Sequence, residues 1–295
     1  MERKSEHRRF FVYRYQILAR IDPESPQFVY TTPDQNYMSV EELRADKNRI
    51  FSKMLQSIEH FQWPYAEITH NIAFAEDDLF LIRLGVNRPT EIRTEDFKSV
   101  QTSDWPWIYI YIDNDSENQY LLTEIDRDAW DGTDITIRML QDNFNSYLEA
   151  YYLLVEIEPL IEQRAFWAFV ERHKGRIKVV EFDMISPNMS NISSKSKWPL
   201  QEIRDEYNAT RQRVRLENTA DRSIDVKPDE FITSMAEYSS NGGGKVRFRI
   251  QGFKGYKSLS EDKIEVEFDD FDIQSDDPKH FHKIAKILFD MLTEL

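Results

Sequence analysis

The segment Tyr152–Asp183 reads YLLVEIEPLIEQRAFWAFVERHKGRIKVVEFD. Its opening run, Tyr152–Glu158, is rich in aliphatic and β-branched side chains and predicts a strand. Glu162–His173 follows, with Phe166, Trp167, Phe169 and Val170 grouped as on one side of a helix. Gly175 supplies the stop, because glycine accepts the left-handed conformation that ends many helices. Arg176–Asp183 then returns as a second strand. A strand, a helix and a strand in immediate succession point to an α+β domain.

Towards the C-terminus the same grammar continues. A polar loop, SPNMSNISSKSKW from Ser186, leads into a short helix at Leu200–Ala209 and a strand at Arg211–Glu217. Pro228–Tyr238 reads as a helix, since proline suits a first helical turn. Lys245–Gln251 and Lys263–Phe268 alternate as strands. With the inserted helix removed, the order is β-α-β-β-α-β plus one extra strand, the split βαβ order of ferredoxin-like domains. That order places the strand from Lys245 beside Tyr152–Glu158, then Arg211–Glu217, then Arg176–Asp183. A last amphipathic helix carries Phe281, Ile284, Leu288, Met291, Leu292 and Leu295 on one face. It suits docking on its own domain, or a partner helix or dimer.

Towards the N-terminus, Arg9–Ile21 reads as an aromatic strand. Ser39 with Glu42 forms a capping box ahead of a helix that runs to about Ile58. Strands follow at Ala66–Ala75 and Leu79–Val86, then a polar loop over Arg88–Ser103, then a hairpin of Trp107–Ile112 and Tyr120–Ile125. A helix at Thr133–Leu148 closes this half. The expected organisation is an N-terminal α+β domain over 1–149 and a ferredoxin-like domain over 150–295.

Composition narrows the function classes. The 295 residues carry 38 basic and 53 acidic side chains, a net charge of -15, which opposes nonspecific polyanion binding by the protein as a whole. There is no cysteine, so disulfides, thiolate metal sites and a cysteine nucleophile are excluded, and a reducing cytoplasm is the expected location. The start, MERKSEHRRFFVYRYQ, lacks the apolar run of a signal peptide, and no segment approaches the ~20 apolar residues of a membrane span.

Against that acidity stands SSNGGGKVRFRIQGFKGYKS, Ser239–Ser258, with five of the eight glycines, five basic residues and no acid. Its glycines follow a helix and precede a strand, the reverse of a phosphate-binding loop, so Gly242–Gly244 read as a helix end and turn. In KVRFRI, Val246, Phe248 and Ile250 face one way and Lys245, Arg247 and Arg249 the other. One reading makes this strand a hairpin with KIEVEF, setting Arg249 against Glu265, Arg247 against Glu267 and Lys245 against Asp269. The other gathers Arg176, Lys178, Arg211, Arg213, Arg215, Lys245, Arg247 and Arg249 on an open sheet face, against Glu156, Glu158, Glu265 and Glu267. The loop would add Lys254, Lys257, Phe253 and Tyr256, with an aromatic ring to stack on a base. Such a face suits nucleic acid, DNA or RNA, although the strands lack the RRM aromatic pattern.

No catalytic or metal-binding residue and no cofactor is assigned. His280 and His282 follow Asp276 and Asp277, but positions two apart on a helix point away from each other. His173 sits at a helix end, where a cation complements the helix dipole. His60 and His70 have no readable partner, and Glu76–Asp77–Asp78 reads as a solvated turn. G-x-S-x-G, Walker and H-E-x-x-H motifs are missing.

The order of aromatic strand, helix, DDLFLIRLGV, polar loop, WIYIYIDN with QYLLTEI, helix and VEIEPL resembles the layout of the phage lambda exclusion protein RexA family. It is also similar to uncharacterised phage-defence proteins. The likeness covers Phe10–Asp183, with its most local echo at Ile157–Leu160. The resemblance implies a two-domain, dimeric DNA-binding sensor that acts with a separate effector protein. It transfers no individual binding residue. The expected function is therefore non-enzymatic nucleic-acid binding, with Arg211, Arg213, Arg215, Arg247 and Arg249 on phosphates and Tyr256 stacking. The competing classes are a protein–protein adaptor, whose basic face is an interface, and a metal-dependent nuclease.

Overall fold

The computed structural model describes residues 8–20, 29–76, 78–186, 200–207, 209–218, 222–259, 262–268, 286–287 and 290. In chain order the elements are β1 (Arg8–Ala19), β2 (Tyr30–Thr31), β3 (Asn36–Tyr37), α1 (Val40–Ser57), β4 (Ile68–Glu76), β5 (Leu79–Val86), β6 (Arg88–Arg93), β7 (Ser99–Asp104), β8 (Trp107–Asp113), β9 (Tyr120–Glu124), α2 (Thr133–Leu148), β10 (Leu153–Pro159), α3 (Gln163–Arg172), β11 (Ile177–Ile185), α4 (Leu200–Tyr207), β12 (Arg211–Glu217), α5 (Glu230–Tyr238), β13 (Gly244–Ile250), β14 (Lys257–Ser258) and β15 (Glu265–Phe268). The class is mixed α+β with several sheets. The amphipathic face at Phe281–Leu295, the pair His280 and His282, and most of the loop from Ser186 lie outside the described residues.

The chain divides into two compact units, each discontinuous in sequence. The first comprises Met1–Phe11, Asp46–Tyr151 and Glu265–Leu295; the second comprises Val12–Ala45 and Tyr152–Ile264. One crossing, at Tyr151/Tyr152, lies beside the boundary expected at 149/150, and the others fall inside β1, inside α1 and at the start of β15. β1 explains the interleaving. Its residues Arg8–Phe11 pair with β15, and Tyr13–Ala19 pair with β10.

In the first unit β4, β5, β8 and β9 form an antiparallel succession. Phe51 of α1 meets Phe144 of α2 edge to face, 5.4 Å between centroids. Asn114, after β8, clasps α1 by donating to the Asn48 carbonyl at 2.8 Å and receiving its amide at 2.9 Å. The stretch expected as a polar loop over Arg88–Ser103 is instead the hairpin β6–β7, a sheet of its own with almost every residue exposed. It lacks the apolar alternation that marks a strand, because neither face is buried.

The second unit holds β12–β11–β13–β14 in that order, all antiparallel. This corrects the expected ferredoxin-like order: β11 is central, and β10 pairs with β1. It also corrects the expected hairpin, since β13 pairs with β11 and β14 whereas β15 pairs with β1. The core lies on one sheet face. Val180, Phe182 and Met184 of β11 and Val246, Phe248 and Ile250 of β13 pack under Phe166 and Val170 of α3 and Met235 of α5. Burying each such side chain contributes about 1.5–3 kcal/mol. Asp229 caps α5 by accepting from the Ile232 amide at 2.8 Å, so the helix begins after Pro228. In α1, Ser39 Oγ accepts from the Glu42 amide at 3.1 Å as a capping box requires, but Glu42 reaches back to the Met38 amide at 2.7 Å.

The triple glycine is a packing device. Ser239–Gly243 makes one wide π-type turn before β13 begins at Gly244. Gly242 has φ of 79°, and a Cβ there would sit 2.6 Å from Cβ of Arg14. Gly244 has φ of 147° and lies against the Asp183 carbonyl, leaving no room for a side chain. The glycines let the turn press onto β1 and β11, and no anion is needed to explain them.

Candidate nucleic-acid interface

The sheet face opposite the core is a ladder of charges. Alternation sends Glu181 and Asp183 of β11 outward between Arg211, Arg213 and Arg215 of β12 and Lys245, Arg247 and Arg249 of β13. Glu181 stands opposite both Arg215 and Arg247, and Asp183 opposite both Arg213 and Lys245. Arg247 donates to Glu181 at 2.5 Å, Arg215 to Glu181 at 3.3 Å, and Arg213 to Asp183 at 2.9 Å. Arg211 reaches Asp183 at 3.3 Å and Glu156 at 3.0 Å, and Arg215 also holds Glu217 at 2.6 Å. Lys245 approaches Glu158 at 3.3 Å. Arg211, Arg213, Arg215, Lys245 and Arg247 are thus balanced by Glu156, Glu158, Glu181, Asp183 and Glu217. The guanidiniums are occupied by carboxylates, and Glu181 and Asp183 are themselves buried.

Glu158 lies beneath the edge of this ladder, 1% exposed and directly across from Arg14 of β1. Burial pushes its carboxyl up to about 7, against the pull of Lys245 and Arg211, while Glu156 adds repulsion. Among the described residues its Oε2 has no hydrogen-bond partner, and neither has Oε1 of the buried Gln16. Gln16 donates to the Gly242 carbonyl at 3.4 Å, which ties the polar cluster to the glycine turn.

Beyond the ladder the chemistry changes. The loop from Gln251 to Ser258 carries Lys254 and Lys257 and no acid. Arg176 holds it in place, donating to the Gln251 carbonyl at 2.9 Å. Phe253 is 44% exposed and Tyr256 41%. The Arg176 guanidinium and the Lys257 ammonium each lie 5.6 Å from the Phe253 ring centroid. Such placements are favourable because the ring face is electron-rich. His173, at the end of α3, meets the same ring edge-on at 5.9 Å. Tyr256 accepts a hydrogen bond from Arg215 at 2.7 Å, and Arg247 sits 5.7 Å from its ring. Among the described residues Arg172, Arg176, Arg249, Lys254 and Lys257 make no ion pair with a carboxylate, although Glu217 feels the charge of Arg249. Lys178, half-buried on β11, has interactions of its own.

Two groups were not singled out from the sequence. Glu181 and Asp183 alternate with Val180 and Phe182 in VVEFD, a period-two signal that marks them as facing away from the core. Arg172 precedes His173, whose pKa is lowered first by burial and then by the charges of Arg176 and Arg172. His173 stands at the end of α3, the helix-end position expected of it.

The first unit offers a different surface. A cavity of about 360 Å³ is lined by Phe11, Trp130, the carboxylates Glu124, Asp126, Asp131 and Asp134, and a single cation, Arg127. That lining repels phosphate. Asp113, at the end of β8, is pushed up to about 6 by burial. Among the described residues no group of three His, Asp or Glu side chains is placed to hold a metal ion, and no helix is long and apolar enough to cross a membrane. Comparison with protein-family models, with curated proteins and with solved structures finds no match.

Proposed function

We propose that the protein binds nucleic acid through the loop Gln251–Ser258 and the cations beside it, Arg172, Arg176 and Arg249. The observation that supports this is the contrast on one unit: the ladder cations are matched by carboxylates, whereas the loop end carries cations with no carboxylate partner among the described residues and two exposed rings. In this reading Lys254, Lys257, Arg249 and Arg176 contact phosphates. Arg211, Arg213, Arg215, Lys245 and Arg247 form the frame that holds the sheet and Tyr256. The net charge of -15 confines binding to this patch and disfavours long polyanions elsewhere. The RexA-like layout fits a sensor in a phage-defence system, cytoplasmic, working beside a separate effector protein and as a homodimer, with DNA the favoured ligand.

Titration against labelled DNA and RNA at two salt concentrations tests the reading. With four phosphate contacts, single-strand affinity falls roughly 50-fold between about 50 and 200 mM salt. An affinity flat in salt, or no binding to DNA or RNA, overturns it. A protein–protein adaptor is the second reading. It draws on the β6–β7 hairpin, where Ile92, Phe97 and Val100 are 50%, 99% and 47% exposed. An isolated two-stranded hairpin is marginal in water and gains from a covering partner.

A further inference from the structure

The ladder cations are not held alike. Arg211 has carboxylates at Glu156, Glu158 and Asp183, and Arg213 at Glu181 and Asp183. Arg215 has Glu181 and Glu217, and Arg247 has Glu181 and Asp183. Lys245 pairs with one carboxylate among the described residues, Glu158, at 3.3 Å. The Lys245 side chain is 57% exposed, whereas that of Glu158 is 1% exposed. The pair thus joins an ammonium open to solvent to a carboxyl shielded from it. A buried carboxylate with few partners is costly, and taking up a proton removes the charge. The surroundings favour that proton. Glu158 Oε2 and Gln16 Oε1 are buried acceptors with no donor among the described residues, and the strand register puts them on one face of β10 and β1. A carboxylic acid supplies a donor where a carboxylate has none.

Resting on the nucleic-acid reading above, we propose that Glu158 is a proton-controlled latch on Lys245: ionised, it keeps the ammonium in the ladder, and protonated, it releases the ammonium to a phosphate of the bound strand. The charged groups around it are Glu156 on β10 itself, Arg14 on β1, Arg211 on β12 and Lys245 on β13, with Asp183 of β11 reached through Arg211. Tyr238 of α5 stays protonated, held so by burial against Gln16 and Arg14. Arg211 retains Glu156 and Asp183 in either state, so Lys245 is the cation that changes partners. Lys245 shares its face of β13 with Arg249, four residues or about 13 Å along the strand, a span of a few nucleotides. Burial, then repulsion from Glu156, holds the Glu158 carboxyl at about 7 against Lys245 and Arg211. Above that value the latch is closed and below it open, so affinity rises as pH falls through about 7. By linkage, a phosphate that takes Lys245 tightens the hold of Glu158 on its proton, so binding takes up protons near neutral pH.

The test measures affinity of the full chain for labelled thymidine and uridine 12-mers at about pH 6 and pH 8, each at two salt concentrations. The wild-type protein binds about fivefold tighter at the lower pH in roughly 100 mM salt, and its salt slope steepens by about 0.7, as one added phosphate contact requires. Glu158→Gln binds at the higher pH as tightly as the wild type does at the lower, and its affinity no longer varies with pH. Lys245→Gln, changed at an exposed side chain, binds at the lower pH as the wild type does at the higher. Calorimetry in two buffers of different ionisation heat reads an uptake of up to about half a proton per strand near pH 7 in the wild type and none in either variant. If Glu158→Gln fails to fold by circular dichroism, the proton uptake of the wild type against Lys245→Gln decides. Affinity that is flat with pH overturns the latch. So does a pH slope that survives in Glu158→Gln or Lys245→Gln, or one that vanishes in His173→Gln, the imidazole beside Phe253. In each of these cases the nucleic-acid reading stands. Failure to bind either strand at both pH values overturns that reading itself.

Discussion

The arginine ladder and the loop Gln251–Ser258 are both basic in sequence and differ in what stands opposite. Across β12, β11 and β13 each outward carboxylate of β11 is flanked by cations from both neighbouring strands. Towards one end of the sheet, Lys254 in the loop, Lys257 of β14 and Arg249 of β13 meet no carboxylate partner among the described residues. The same residue types therefore do two jobs. Inside the ladder a guanidinium stabilises the fold by compensating a buried charge. On the loop an ammonium group stays available to an outside anion. Counting basic residues along a strand does not separate these roles, whereas pairing across strands does.

The sharpest way to break that contrast is to reverse a ladder carboxylate. Glu181→Lys sets a buried cation among Arg213, Arg215 and Arg247, and loss of the compensating charge costs about 3–5 kcal/mol. Urea denaturation reads this as a large fall in midpoint; a fall under about 1 kcal/mol would mean the ladder is only a solvated surface. Next in size, Lys254→Glu with Lys257→Glu lowers nucleic-acid affinity about 10- to 100-fold and flattens the salt slope. Stability in that variant stays within about 0.5 kcal/mol, as for other open surface changes.

A pH experiment addresses the ladder's edge. Glu158 has a folded value of about 7 against an ordinary 4.5, so the folded state holds the proton more tightly than the unfolded chain does. Its contribution to stability is fully present below pH 4.5 and is lost as pH rises through 7. Glu158→Gln removes this slope, and the loss between pH 5 and 8 shrinks by on the order of 1–2 kcal/mol in urea melts at the two pH values. The smallest expected effect is Arg213→Gln. Its guanidinium already holds Asp183, so affinity for nucleic acid changes by less than about twofold. A larger loss would move the phosphate contacts from the loop onto the ladder.

Local structure was legible in the sequence and pairing was not. Arg211–Glu217 and Thr133–Leu148 form over the residues expected, because alternation and helical spacing are properties of the segment itself. KVRFRI, by contrast, offers Lys245, Arg247 and Arg249 on one face, and two strands present acids at matching period. Glu265 and Glu267 on KIEVEF complement it as well as Glu181 and Asp183 do. Charge alone cannot choose between them. The choice follows from the apolar face, where Val180, Phe182, Val246 and Phe248 share one core. The hairpin of β6 and β7 was illegible for the opposite reason, having no buried face to imprint a pattern. The loop's lysines, Tyr256, Glu156 and Glu158 could be picked out from the sequence; Glu181 and Asp183 carry a period-two signal, but which arginines they neutralise follows only from the strand pairing.

β1 has a consequence for how the chain is made. Its first residues pair with β15 and the rest with β10, and the ion pair of Arg9 with Glu265 joins positions 256 apart. During synthesis this aromatic strand leaves the ribosome well before β9, β10 or β15 exists, with Phe10, Val12, Tyr13 and Tyr15 still seeking cover. Sheets closed by such distant segments form slowly, and the waiting strand is open to wrong partners. Cellular yield of the folded protein should therefore depend on chaperone supply and elongation rate. A fragment starting at residue 150 would leave β10 with a bare edge, which supplying residues 8–19 as a separate peptide would heal.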